Sequence, residues 1–200
     1  ITNHTGPSCA ANMVVESTTI RRSTAATDDG GDPAIGDGSY TARNVKIDGL
    51  PEGFRVGGKA SGCGPVLIES SYATVTAPDS CGDWHGDGLQ GYDGPALTLR
   101  NTVLELVERS GCGGTAPFFY PGGQGNTSVD INGLIVKGGG SAFRLTTAGA
   151  VRNLNIVEGS WFYSPTEVTC SLITAWDAKI VRLDANGQPI AGLYAAGNDM

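Results

Sequence analysis

One segment of the chain repeats another. Val45-Lys46-Ile47-Asp48-Gly49-Leu50-Pro51-Glu52-Gly53-Phe54-Arg55-Val56 aligns with Leu134-Ile135-Val136-Lys137-Gly138-Gly139-Gly140-Ser141-Ala142-Phe143-Arg144-Leu145. The two agree in length, in apolar alternation and in a Phe-Arg-aliphatic ending. The first half recurs as Asn101-Thr102-Val103-Leu104, Asn153-Leu154-Asn155-Ile156 and Ser17-Thr18-Thr19-Ile20. The second half recurs around Ile35, Phe54, Leu89, Phe118 and Phe143, at spacings of 19, 35, 29 and 25 residues, 27 on average. Each unit thus holds two short alternating strands joined by turn residues such as Asp48-Gly49. Alternation with period two buries one face only, so a unit of this length cannot close its own core. Stacked units can, with equivalent residues ~4.8 Å apart. The expectation is a coil of parallel strands. Loops of unequal length would leave it at a fixed corner, over 22–33, 57–64, 76–87 and 108–116, which are the Gly/Ser/Asp/Cys-rich stretches.

Composition agrees. The 200 residues include 31 glycines and 10 prolines, about a fifth of the chain, which disfavours a helical protein. Glycine has no triplet period, so collagen is excluded. With 40% hydrophobic and only 16% charged residues, the chain is not a disordered one. Leu97–Arg109 has helical spacing at Val103, Leu104 and Val107, but its Thr content and its fit to the repeat favour strand. From Trp161 onward, Phe162-Tyr163, Val168-Thr169-Cys170, Leu172-Ile173, Lys179–Leu183 and Pro189-Ile190 read as antiparallel hairpin strands, with Asn186-Gly187 in the final turn. Such a tail would cap the last coil and cover its open edges. The domain division is 1–165 for the coil and 166–200 for the cap.

The formal charge is −7, from 13 Lys+Arg against 20 Asp+Glu, and no basic patch appears. Nucleic acid is not an expected partner. An acidic polymer would be repelled unless a cation or local arginines intervene. No run of 18 apolar residues exists, so no membrane partner is expected. The start at Ile1, with neither Met nor a signal peptide, leads to the expectation of a mature or trimmed form. Four lysines, many small polar residues and five loop cysteines point to an exported, extracellular protein with one or two disulfides. The sequons at Asn3 and Asn126 are compatible with this. Cys81 and Cys112 precede neighbouring inward strands and are the favoured pair. Cys63 with Cys81, or Cys112 with Cys170, are the alternatives.

A family resemblance follows from Arg43-Asn44-Val45-Lys46-Ile47-Asp48-Gly49, from Gly53-Phe54-Arg55-Val56 and from His85-Gly86-Asp87-Gly88-Leu89-Gln90. Residues 10–165 resemble right-handed parallel β-helix proteins of the pectin-lyase-like type, found among secreted bacterial repeat proteins and phage tail proteins. The resemblance implies an all-β, single-stranded, right-handed parallel β-helix of about six coils with a C-terminal antiparallel cap. That architecture hosts lyases, hydrolases, isomerases and inert adhesins. The hydrolases' "NTD…DD…GHG…RIK" series and the pectate lyases' Arg-x-Pro segment are missing. Neither activity transfers residue by residue.

Stacking predicts columns. With Phe54, Leu89, Phe118 and Phe143 inward, Arg55, Gln90, Phe119 and Arg144 face outward, and Val56, Gly91, Tyr120 and Leu145 turn inward again. Glu52 and Asp87 are assigned to the outward strip, with Trp84, His85, Tyr92 and Tyr120 flanking it. Such a strip suits a polysaccharide: rings stack on sugar C–H faces while charged groups bond hydroxyls or uronate carboxylates. Trp84, Gln90, Tyr92, Phe119 and Tyr120 are the binding candidates. Glu52 and Asp87 on neighbouring coils would stand near the ~5–5.5 Å of a retaining glycosidase, and mutual repulsion would raise one pKa. Alternatively His85 would act as base, with Arg55 and Arg144 neutralising a uronate, with or without calcium, as in a lyase. Asp28, Asp29 and Asp32 offer oxygen ligands for Ca2+, without the EF-hand order. Two functions remain in view: cleavage of a glycan along the coil, or a non-catalytic adhesin, tail or glycan-binding module, monomeric or trimeric. Ice binding would need threonines recurring in one slot, and they do not.

Overall fold

The computed structural model describes residues 1, 13–22, 32–36, 38–58, 64–82 and 84–196. Its strands, in chain order, begin with β1 (Met13–Glu16), β2 (Thr19–Arg21), β3 (Tyr40–Arg43), β4 (Lys46–Leu50) and β5 (Phe54–Gly57). There follow β6 (Val66–Glu69), β7 (Tyr72–Thr76), β8 (Asp87–Tyr92), β9 (Leu97–Val107) and β10 (Ala116–Tyr120). The last are β11 (Ser128–Lys137), β12 (Ser141–Leu145), β13 (Ala148–Val157), β14 (Ser164–Val168), β15 (Ile173–Leu183) and β16 (Pro189–Ala195). The protein is all-β. Strands β5, β8, β10, β12 and β14 form a five-stranded parallel sheet, and the other eleven form a second sheet. The chain visits the large sheet, crosses to the small one and returns, repeatedly. Leu97–Val107 is strand throughout, so its repeat pattern prevails over its helical spacing.

The inward ladder is as the repeat predicts. Phe54 pairs with Leu89, Leu89 with Phe118 and Phe118 with Phe143, and Ile35 bridges to Phe54. All five are fully buried. The Phe118 and Phe143 rings stack with centroids 4.7 Å apart. On the large sheet Ala42, Ile68, Leu99, Ile131 and Val151 form one buried row, and Ile47, Ala73, Leu104, Val136, Ile156 and Ile180 another. One core cluster draws on both sheets. Burying each Leu, Ile or Phe contributes about 1.5–3 kcal/mol.

A bend divides the large sheet lengthwise. Ser17, Asn44, Ser70, Asn101, Gly133 and Asn153 occupy one slot of the register, each with positive φ. Asn is among the few side chains that visit this region readily. After the bend, hydroxyls of Thr18, Ser71 and Thr102 donate back to the carbonyls of Glu16, Glu69 and Arg100 at 2.8–2.9 Å. On the outer face, one row reads Glu16, Arg43, Glu69, Arg100. Arg43 is ion-paired with both Glu16 and Glu69, and Arg100 and Arg152 with Asp130.

The tail departs from expectation. β14 pairs with β12, and β15 with β13, both parallel; only β15 and β16 run antiparallel, around a turn at Asp184–Gly187. The parallel pattern therefore extends further than the aromatic ladder that marked it, because Thr166 takes the place of a phenylalanine opposite Phe143. The loops also divide. Those over 76–87 and 108–116 both lead from the large sheet to the small one, whereas most of 22–33 and of 57–64 lies outside the described residues. Cys81 and Cys112 join the first two as a disulfide with Cα atoms 5.5 Å apart, so the alternative partners Cys63 and Cys170 are set aside for that pair. Cys170 is exposed and free. Val75, Ala77, Trp84, Leu106 and Cys112 form a small core beneath these loops. Among the described residues no helix is long and apolar enough to cross a membrane.

Candidate functional site

The outer face of the small sheet carries the expected column. Arg55, Gln90, Phe119 and Arg144 lie in register on neighbouring strands, partly exposed. Glu167 continues the column on β14. The Arg144 guanidinium sits 4.8 Å from the Phe119 ring centroid, a cation–π distance. It also grips Glu167 twice, Nη2 donating to Oε1 at 2.9 Å and Nε lying 2.7 Å from Oε2. Glu167 escaped sequence reading because Thr166 hides the repeat. The alternation of Thr166-Glu167-Val168 under Phe143-Arg144-Leu145 was its available signal.

Two carboxylates assigned to this surface are elsewhere. Glu52 is 3% exposed and Asp87 1%. Each stands two residues before an inward side chain, Phe54 or Leu89, and period-two alternation puts it on the same side of the strand. Both accept amides of the next strand. The Asp87 N–H donates to Glu52 Oε2 at 3.3 Å, and the Ala116 N–H to Asp87 Oδ1 at 3.1 Å. The same row ends in a Ser141–Ser164 hydroxyl pair at 3.0 Å. Burial pushes the Glu52 carboxyl up to about 7, against the pull of the Arg55 guanidinium 3.9 Å away. Burial, and then the neighbouring Glu52 charge, push Asp87 well above the ordinary carboxylate range. This row staples strands together, with its carboxylates buried behind the outer face.

The flanking aromatic residues also divide. Trp84 is buried, its indole N–H donating to the Pro51 carbonyl at 2.8 Å. Tyr120 is fully buried beneath the sheet. Its hydroxyl donates to the Pro95 carbonyl at 2.6 Å, and burial raises its pKa. Neither is a platform for a sugar, because both ring systems fill core positions. His85 and Tyr92 are exposed, but at opposite ends of β8, roughly 20 Å apart at ~3.3 Å per residue. They do not converge. Asp28 and Asp29 lie outside the described residues, and Asp32 is exposed. Among the described residues no three His, Cys, Asp or Glu side chains gather as a metal site.

A groove beside the column was not anticipated. It has two lobes of about 450 and 420 Å3, which share Gly114, Gly140 and Tyr163. One lobe runs along Glu108 to Gly113 to reach Phe162; the other holds Thr115, Ser141, Arg144, Ser164 and Glu167. Phe162 is 77% and Tyr163 79% exposed, and their rings meet edge to face at 4.7 Å. Backbone bonds fix them: the Phe162 N–H donates to the Gly139 carbonyl at 3.0 Å and the Tyr163 N–H to that of Gly140 at 2.7 Å. The run Trp161-Phe162-Tyr163 was the signal, obscured by its placement in a supposed hairpin. Exposed rings beside a fixed ion pair can hold a ligand with both apolar and hydroxyl surfaces. No family model, curated protein or solved structure matches this chain.

Proposed function

We propose that the protein is a right-handed parallel β-helix, exported from the cell, that binds a glycan on the outer face of its small sheet without cleaving it. The observation that carries the reading is the continuity of the Phe162–Tyr163 ring pair with the column ending in Arg144 and Glu167, through a groove whose two lobes share Gly114, Gly140 and Tyr163. The β-helix reading is supported by parallel pairing between successive units and by the regular crossing between two sheets. Export is supported by the Cys81–Cys112 disulfide, a bond of oxidising compartments. Cleavage by Glu52 and Asp87 fits less well, since a glycan lying on the outer face would not touch side chains buried behind it.

The test combines affinity electrophoresis on a panel of polysaccharides with assays for reducing ends and unsaturated uronates. Retardation without either product is expected. Product release by the wild type that disappears in Asp87→Ala and His85→Ala would overturn the non-catalytic reading.

A further inference from the structure

Resting on the glycan-binding reading, we infer that the groove takes a neutral polysaccharide and not a uronate-containing one. Four charged residues line its two lobes: Glu108, Arg109, Arg144 and Glu167. Each is already engaged. Arg144 is held by both oxygens of Glu167. Arg109 Nη2 donates to the carbonyls of Pro78 and Asp79, tying one disulfide-linked loop to the other. Glu108 accepts the Gly114 N–H at 2.6 Å and the Gly139 N–H at 3.3 Å. Two cations and two anions cancel among the described residues lining the groove.

Recognition of a carboxylated sugar calls for a guanidinium or ammonium free to pair with it. Here Arg144 would have to abandon Glu167, and Arg109, whose Nη2 is committed to two carbonyls, would have only Nε and Nη1 to offer. A polyanion would also approach a chain of formal charge −7. A neutral pyranose faces neither obstacle. Its C–H faces can stack on the Phe162 and Tyr163 rings, which are exposed and held by backbone bonds. Its hydroxyls can donate to the spare lone pairs of the Glu167 carboxylate and exchange bonds with Thr115 and Ser164, which line the same lobe. Each lobe lies within the ~300–1,000 Å3 range of small-ligand sites.

The experiment sets neutral polymers (mixed-linkage glucan, xylan, galactomannan) against acidic ones (alginate, polygalacturonate, hyaluronan), each at low and high salt. Retardation by at least one neutral polymer is expected, unchanged by salt. Tyr163→Ala is expected to weaken that binding at least roughly tenfold, as truncation of a central aromatic anchor does. Tyr163 is exposed, so the variant should fold; circular dichroism checks this. Salt-sensitive binding to acidic polymers alone would overturn this inference and leave the glycan-binding reading standing. Binding to neither class would overturn both. Neutral-polymer binding that Tyr163→Ala and Phe162→Ala leave intact would place the site elsewhere and overturn the assignment to this groove.

Discussion

Glu52 illustrates how one residue's phase decides its role. Two positions before Phe54, it was legible as a carboxylate next to Asp87 but was assigned to the outward strip, although the alternation that placed Phe54 inward turns it inward as well. Its burial has a consequence for stability. The folded carboxyl titrates at about 7 instead of 4.5, so the folded state holds a proton that the unfolded state has released. Stability from this group is complete below pH 4.5 and is lost as pH rises through about 7. Thermal melts across that window should show Tm falling toward neutral pH, and Glu52→Gln, which stays neutral, should flatten the slope. The bend slot makes a second residue-scale case. Ser70 has a φ of 50°, where Asn44, Asn101 and Asn153 do the same work. Ser70→Asn is expected to raise stability by up to about 1 kcal/mol in denaturant titration.

At the scale of elements, the strands were readable and their partners less so. Large apolar side chains in the inward slot made β5, β8, β10 and β12 visible, and those residues stack as anticipated. Phe143→Ala should therefore cost about 3–5 kcal/mol, measured by urea unfolding, since both its stacking partner Phe118 and its edge contact with Trp176 are lost. β14 kept the alternation but not the aromatic, and without it the Asn186-Gly187 hairpin signal coloured the whole tail. The two long loops were legible only as turn-rich sequence; what they build together depends on the crosslink. Cys81–Cys112 spans 31 residues, and its removal in a double serine variant should cost roughly 3–4 kcal/mol by loop-closure entropy. The same variant should weaken any ligand held in the groove, whose wall includes Cys112.

At the scale of the whole molecule, architecture was more legible than site. A repeat specifies its own neighbours, so the outward column of Arg55, Gln90, Phe119 and Arg144 could be written down from spacing alone. The groove could not. It is assembled from segments near residues 108–114, 140–144 and 162–167, whose adjacency arises only when the sheets stack. No local pattern announces such a meeting.

The row Glu16, Arg43, Glu69, Arg100 alternates in sign from strand to strand. The segments that carry these residues pair side by side in the large sheet, so a deletion of one would bring its two neighbours together. Excising the one that carries Glu69 would set Arg43 against Arg100, and excising the one that carries Arg43 would set Glu16 against Glu69. Like charges directly opposite one another are destabilising. Excising those two units together restores opposite signs, Glu16 against Arg100. Along this stretch, copy number has a parity: the sheet tolerates losses in twos better than losses of one.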